Sequence, residues 1–288
     1  MRALSIAIPP VFFALALSSV LALSSFPAPS GAGVQDGPPP PAPPPQQGQG
    51  QGQGNSQVVP VNQTVIDLLA RQIESQGGID RMQALRVVAF DLKLATAIDG
   101  EWTEQPPMSI ALERGDPPRR TRIDDTLEGR KLVKFTNDRE VRVFVDGVAT
   151  ELPDLVAGAK LESALLAETI EFILSLGFGR VAVGDEGVKR RDGADYHALR
   201  VRMEGGTERL MELFLDRETG LPQRLDVFHP GTGRRVESGR FQGYAKGTGP
   251  KLPAELVFTD RDGKPLSRWR LLNVRFDPEL AAGFFEQP

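Results

Sequence analysis

The chain has no cysteine. That excludes disulfides, a thiol nucleophile, a lipid-bearing N-terminal cysteine and any metal site built on thiolates. Histidine is almost as scarce: only His197 and His229 are present, and a zinc site of the usual Cys/His kind cannot be assembled from them. No excess of positive charge exists either. The formal net charge is −4, no basic stripe stands out, and nucleic acid is therefore not an expected partner. The G-x-S-x-G nucleophile elbow, the G-x-x-x-x-G-K-[ST] phosphate loop and the H-E-x-x-H helix are all absent. The common hydrolytic, nucleotide-dependent and zinc-dependent chemistries lose their usual devices. No enzyme and no cofactor is expected.

What is present begins with an apolar N-terminus. Arg2 is followed by an almost uncharged run from Ala3 to Leu23, with small residues at Ser18, Ser19, Ala22, Ser24 and Ser25. Residues 1–25 have the pattern of a secretory signal. The run is also about the 20 residues needed to cross a bilayer, so a membrane tether through residues 3–23 is the alternative, weakened by Pro9 and Pro10. Residues 26–57 are rich in Pro, Gly and Gln, too polar and too simple to bury a core, and read as a disordered linker or stalk. Export without cysteine fits a bacterial periplasm, where a large core replaces disulfide staples. Residues 58–288 are long enough for one sizeable domain.

Within that domain one stretch differs from the rest. Asp154 to Gly179 is long, helical in pattern and apolar on nearly every face, with a break expected near Leu161 to Ser163. Before it, Val65 to Gln76 reads as an amphipathic helix on Ile66, Leu69, Ala70 and Ile73, ended by Gly77-Gly78. A short turn, Ile79 to Leu85, follows. The remainder is strand and turn. Val88, Phe90, Leu92 and Leu94 alternate with polar residues, and Asp99-Gly100, Glu128-Gly129, Asp146-Gly147 and Asp192-Gly193 mark tight turns. About a dozen strands joined by such turns imply an antiparallel meander, which curls at this size. The expected fold is mainly β (α+β): a curved antiparallel sheet forming an unclosed β-barrel, with helices covering its concave face.

Such an interior needs no polar motif to hold an acyl chain, because each buried methylene contributes about 0.8 kcal/mol. The candidate lining is Val88, Phe90, Leu92, Leu94, Leu199 and Val201 from strands, and Leu165, Leu166, Ile170 and Ile173 from the central helix, which would open as the gate. His197 shares a strand face with Leu199, Val201 and Met203 and reads as a core or rim residue. His229, before Pro230, reads as a solvated turn residue. Asp260-Arg261-Asp262-Gly263 is shorter than a calcium loop and reads as a hairpin. Arg119-Arg120, Arg190-Arg191 and Arg234-Arg235 lie at turns as solvated edge charges, and Trp102 and Trp269 as packing residues.

Three stretches resemble the periplasmic outer-membrane lipoprotein-sorting proteins, the superfamily of the LolA and LolB carriers. They are Gly77-Gly78-Ile79-Asp80-Arg81-Met82-Gln83-Ala84-Leu85 running into a strand, the turn Asp216-Arg217-Glu218-Thr219-Gly220-Leu221-Pro222, and Leu272-Asn273-Val274-Arg275-Phe276-Asp277-Pro278 continuing to Phe284 and Phe285. The resemblance spans about residues 62 to 288. It implies an unclosed antiparallel barrel with helices in its concavity, in the periplasm, binding the acyl chains of a lipid or lipoprotein. A non-catalytic envelope-stress sensor or scaffold that binds an envelope protein partner is the alternative on the same fold.

Overall fold

The computed structural model describes residues 63–114, 120–137, 140–175, 181–203, 210–229, 231–247 and 249–288. The proposed signal or tether at 1–25 and the linker at 26–57 lie outside them, as do Arg119, Gly177, Gly179 and Pro230. Helix α1 is Gln63–Ser75 and α2 is Ile79–Ala84. Strands β1 (Val87–Ile98), β2 (Glu101–Glu104), β3 (Met108–Glu113), β4 (Thr121–Leu127), β5 (Arg130–Thr136), β6 (Val141–Val145) and β7 (Val148–Thr150) follow. The long helix α3, Pro153–Ser175, divides the chain. Then come β8 (Val181–Arg191), β9 (Ala194–Met203), β10 (Leu210–Leu215), β11 (Pro222–Phe228), β12 (Arg235–Gln242), β13 (Glu255–Asp260) and β14 (Pro265–Phe276).

All strand pairs are antiparallel, and the order is β7-β6-β5-β4-β3-β1-β14-β13-β12-β11-β10-β9-β8, with β2 folded back on β1. The seam that joins the two halves is β1 against β14, the two 12-residue strands. The sheet does not close. Its edges, β7 and β8, are consecutive in the chain, and α3 is what connects them. The unclosed half-barrel expected from the turn spacing is the fold observed.

Four hairpins explain why so many strands follow one another directly. Asp99-Gly100, Glu128-Gly129, Asp146-Gly147 and Asp192-Gly193 are two-residue loops in which both residues have positive φ, near 50° for the first and 79° to 87° for the glycine. That is the turn whose twist matches the flanking strands, and it needs glycine at the second place. β2 and β7 are short, largely exposed strands that alternation does not mark.

Two helical readings differ from the structure. α1 buries Val65, Leu68 and Gln72, with Gln76 just beyond it, whereas Ile66 is 45 % exposed and Ala70 is exposed. The buried face is thus rotated from the expected Ile66–Leu69–Ala70–Ile73 stripe, because two glutamines complete it. α3 runs without a break through Leu161, Glu162 and Ser163. The polar pair that looked like an interruption is buried and bonded to β5.

Candidate functional site

Strand alternation and register place the concave face. Phe90 lies opposite Ile110, which lies opposite Ile123; Leu94 lies opposite Trp269, which lies opposite Leu256; Leu199 lies opposite Leu213, which lies opposite Leu225. Val88, Phe90, Leu92, Leu94, Leu166, Ile170, Ile173, Leu199 and Val201 are each no more than 3 % exposed and join one core cluster. Leu165 is also buried but stands outside that cluster. The residues expected to line a cavity therefore do come together, and α3 and α1 pack into the space between them. Trp269 packs on Phe258 with ring centroids 5.4 Å apart, as a packing residue.

Polar groups hold α3 in place, and these are the residues that sequence reasoning missed. Lys134 on β5 points into the concavity because it shares a face with Leu132 and lies opposite Ile123 and Val143. Its Nζ donates to Glu162 Oε2 on α3 at 2.6 Å and to Asp125 Oδ2 on β4 at 3.1 Å. Thr136 Oγ1 and Ser163 Oγ are 2.5 Å apart. Arg114, just after β3, grips Glu171 with Nε at 2.7 Å and Nη2 at 3.2 Å. One ammonium serves two carboxylates in the first cluster. Burial pushes the Glu162 carboxyl above its usual range, against the pull of Lys134, while the two carboxylates outweigh burial at Lys134 and push its ammonium up.

α1 is tied through its second half. Gln72 Nε2 donates to the carbonyls of Ile173 and Leu174, at 3.2 and 3.0 Å, and so caps the end of α3. Gln76 exchanges two hydrogen bonds with the backbone of Lys251. Arg71 and Ser75 donate to the carbonyls of Arg217 and Thr219. No apolar periodicity reveals such residues; their signal is only the i, i+4 spacing of Gln72 and Gln76 below Val65 and Leu68.

The same contacts explain the three family-like stretches. Asp216 Oδ1 accepts from the N–H of Thr219 and closes the turn on which α1 rests. Gly220 (φ 70°) lies so close that a Cβ would stand 2.7 Å from Gln72 N and 2.8 Å from Leu68 O. Gly77 meets Gly249 in the same way. Asp277 Oδ1 accepts from the N–H groups of Arg86 and Val87, and Phe285 packs on Ala89 and Ala111 of the outer face. Each stretch docks a terminus or a helix on the sheet.

Beside the core a cleft of about 580 Å³ opens between α1 and the β8–β9 hairpin, reaching the β10–β11 turn. Leu68, Val188 and His197 line it, with Asp67, Arg71, Asp195, Asp216, Arg217 and Glu218 among the polar residues around them. His197 is buried, as its strand face predicted, and its Nε2 lies 2.7 Å from Asp185 Oδ1. The Gly187 N–H first, and His197 second, hold the Asp185 carboxyl below its usual range. His229 is exposed and its Nδ1 accepts from Gly231 N–H inside the turn. Asp260 Oδ1 accepts from the N–H of Asp262 and Lys264, a hairpin as read from sequence. Among the described residues, no group of three or more His, Asp or Glu could hold a metal ion, and no helix is long and apolar enough to cross a membrane.

The half-barrel thus has an apolar interior, roofed by helices and fastened by ion pairs. Comparison with solved structures supports the fold. A DUF1329 family protein from Desulfovibrio piger is similar at a TM-score of 0.52 and 14 % identity, over 76 % of this chain and 95 % of that one. A LolA superfamily protein from Nitrosomonas europaea (TM-score 0.49, 13 % identity, 78 % and 97 % covered) is also similar. So is a putative outer membrane lipoprotein-sorting protein domain from Vibrio parahaemolyticus (TM-score 0.49, 11 % identity, 78 % and 95 % covered). No family model matches the chain, and no curated protein matches it. The likeness to the Desulfovibrio piger protein is one of fold.

Proposed function

We propose that this chain is an exported, non-catalytic carrier or sensor that takes the acyl chains of a lipid or lipoprotein into the concavity beneath α3, working in the periplasm and tethered to the inner membrane if residues 3–23 are retained. One observation carries the reading: the concave face is continuous apolar surface from β4 to β12, and its cover is a pair of helices rather than a second sheet. Helices packed on a sheet can part from it without breaking any strand ladder. About ten methylenes entering that interior would contribute about 8 kcal/mol before the cost of displacing the cover.

The test is native mass spectrometry of the exported protein, before and after organic extraction, followed by addition of lipid. Bound mass that extracts as acyl lipid supports the carrier. A ligand-free mass that takes up no added lipid overturns it. A second reading, a scaffold for an envelope protein, is favoured by one feature. β8 is an 11-residue strand paired on one side only, the arrangement to which an extended partner segment adds. A protein recovered in stoichiometric complex with the lipid-free domain, lost when β8 backbone pairing is blocked by Asp185→Pro, would support that alternative.

A further inference from the structure

We propose that acyl chains reach the concavity through the cleft between α1 and the β8–β9 hairpin, while α3 stays fixed to the β3–β5 wall; this rests on the carrier reading above. The argument is an asymmetry in how the cover is held. The ion pairs of α3 run to one wall: Glu162 to Lys134, Glu171 to Arg114, with the Ser163–Thr136 hydroxyl pair between them. Lifting α3 would part Glu162 from the buried Lys134 ammonium, which keeps Asp125, and open the bidentate Arg114–Glu171 pair, leaving charges in an apolar interior. The ties of α1, by contrast, run to main chain: Arg71, Gln72, Ser75 and Gln76 donate to backbone carbonyls.

The cleft runs along α1 from Thr64 to Arg71, and it touches the core. Leu68 lines the cleft and is at the same time a member of the core cluster, 3 % exposed. His197 lines it too, and two and four residues further along the same strand face are Leu199 and Val201. Val188, 53 % exposed, gives the mouth an apolar lip. A chain laid on Val188 thus meets apolar surface from the solvent to the interior once Leu68 and His197 give way.

Because the chain has no cysteine of its own, the test is clean. In the full-length protein, Val188→Cys is labelled after folding with a bulky maleimide, and uptake of a fluorescent palmitate analogue is timed by stopped flow. In a second variant, Thr136→Cys with Ser163→Cys, a disulfide locks α3 to β5. The bulky label is expected to slow uptake about tenfold, within the range over which association rates vary among variants of one interface. A methylthio label at the same place is expected to leave it unchanged. The locked protein is expected to take up the probe at the rate of its reduced form. Uptake lost on locking, or unaffected by the bulky label, overturns the proposal. Should the locked pair disturb folding, the Val188 arm decides alone. A wild-type chain that binds no probe at all refutes the carrier reading instead, and the portal falls with it.

Discussion

Replacing Lys134 by methionine tests the account of α3 most directly. The side chain is 10 % exposed, Glu162 is 7 % and Asp125 is 19 % exposed. Met keeps most of the stem's packing and removes the charge. Two carboxylates then face each other under α3 with no cation between them. Losing one partner of a buried pair costs about 3–5 kcal/mol. For a domain of this size each kcal/mol lowers Tm by about 2–4 °C, so a fall of about 6–20 °C is expected. The double variant Lys134→Met with Glu162→Leu removes both halves of the deeper pair and is expected to recover most of the loss, since apolar replacement of a buried pair is often neutral or stabilising by about 1–4 kcal/mol.

The pH dependence follows from the direction at Glu162. Its folded pKa is raised, so the folded state binds the proton more tightly than the unfolded state does. That contribution is fully present below the unfolded value of 4.5 and is lost as pH rises through the folded value. Without Lys134 the upward push is stronger, so the single variant should approach wild type in acid and diverge from it as pH rises. Urea unfolding followed by circular dichroism across that range measures both effects. A single variant that loses less than about 1 kcal/mol at neutral pH, or a double variant no more stable than the single one, refutes the picture of a buried pair fastening α3.

Other perturbations address the remaining ties. Gln72→Leu strands the Ile173 and Leu174 carbonyls and is expected to cost about 1–3 kcal/mol, with faster amide exchange in the last turn of α3 as its signature. Gly220→Ala forces a left-handed alanine, about 1–2 kcal/mol by itself, and drives its Cβ into the backbone of α1; limited proteolysis should then cut near α1 first. Ile173→Ala, at a fully buried position, is expected to cost about 2–5 kcal/mol in a urea titration. The Ser109 hydroxyl first, then the Asn273 amide, hold the Asp91 carboxyl below its usual range. Its stabilisation is present above pH 3.8 and lost as pH falls through the lowered folded value, and Asp91→Asn should flatten that acid limb.

Alternation and turn chemistry made the sheet readable before any coordinates. Val88, Phe90, Leu92 and Leu94 bury as their spacing says, and the four two-residue turns fall where X-Gly pairs stand. What was not readable is polar burial. Lys134 and Thr136 alternate with Val133 and Phe135, so the pattern marks Val133 and Phe135 as the buried face. Both faces are in fact covered here: Val133 and Phe135 are 1 % and 2 % exposed, while Lys134 turns inward to Glu162. The same blindness misplaced the α1 face, where Gln72 and Gln76 take core positions because backbone carbonyls satisfy their amides. It also put a break at Glu162 and Ser163, whose partners lie on a strand far away in the chain.

The stretches that resembled a known superfamily carry a lesson about what such likeness transmits. Asp216 to Pro222 holds the turn under α1, Gly77-Gly78 lets that helix end against Gly249, and Asp277 ties the last strand to the first. All three satisfy backbone groups or permit close approach at joints between helix and sheet. The first stretch also sends Met82 and Leu85 into the core cluster, and Val274 and Phe276 of the last pack against it. A motif of this kind can persist while the interior side chains change, and a structure at 14 % identity shares the fold alone. On the carrier reading proposed above, the positions that would discriminate cargo are the interior side chains and the polar ties of α3. Those ties bind the helix to Lys134 and Thr136 of β5 and to Arg114 just after β3. On the other side the buried Leu68 and His197 line the cleft beside α1, and on the portal proposed above whatever enters must suit the apolar lip of Val188 among carboxylates and arginines.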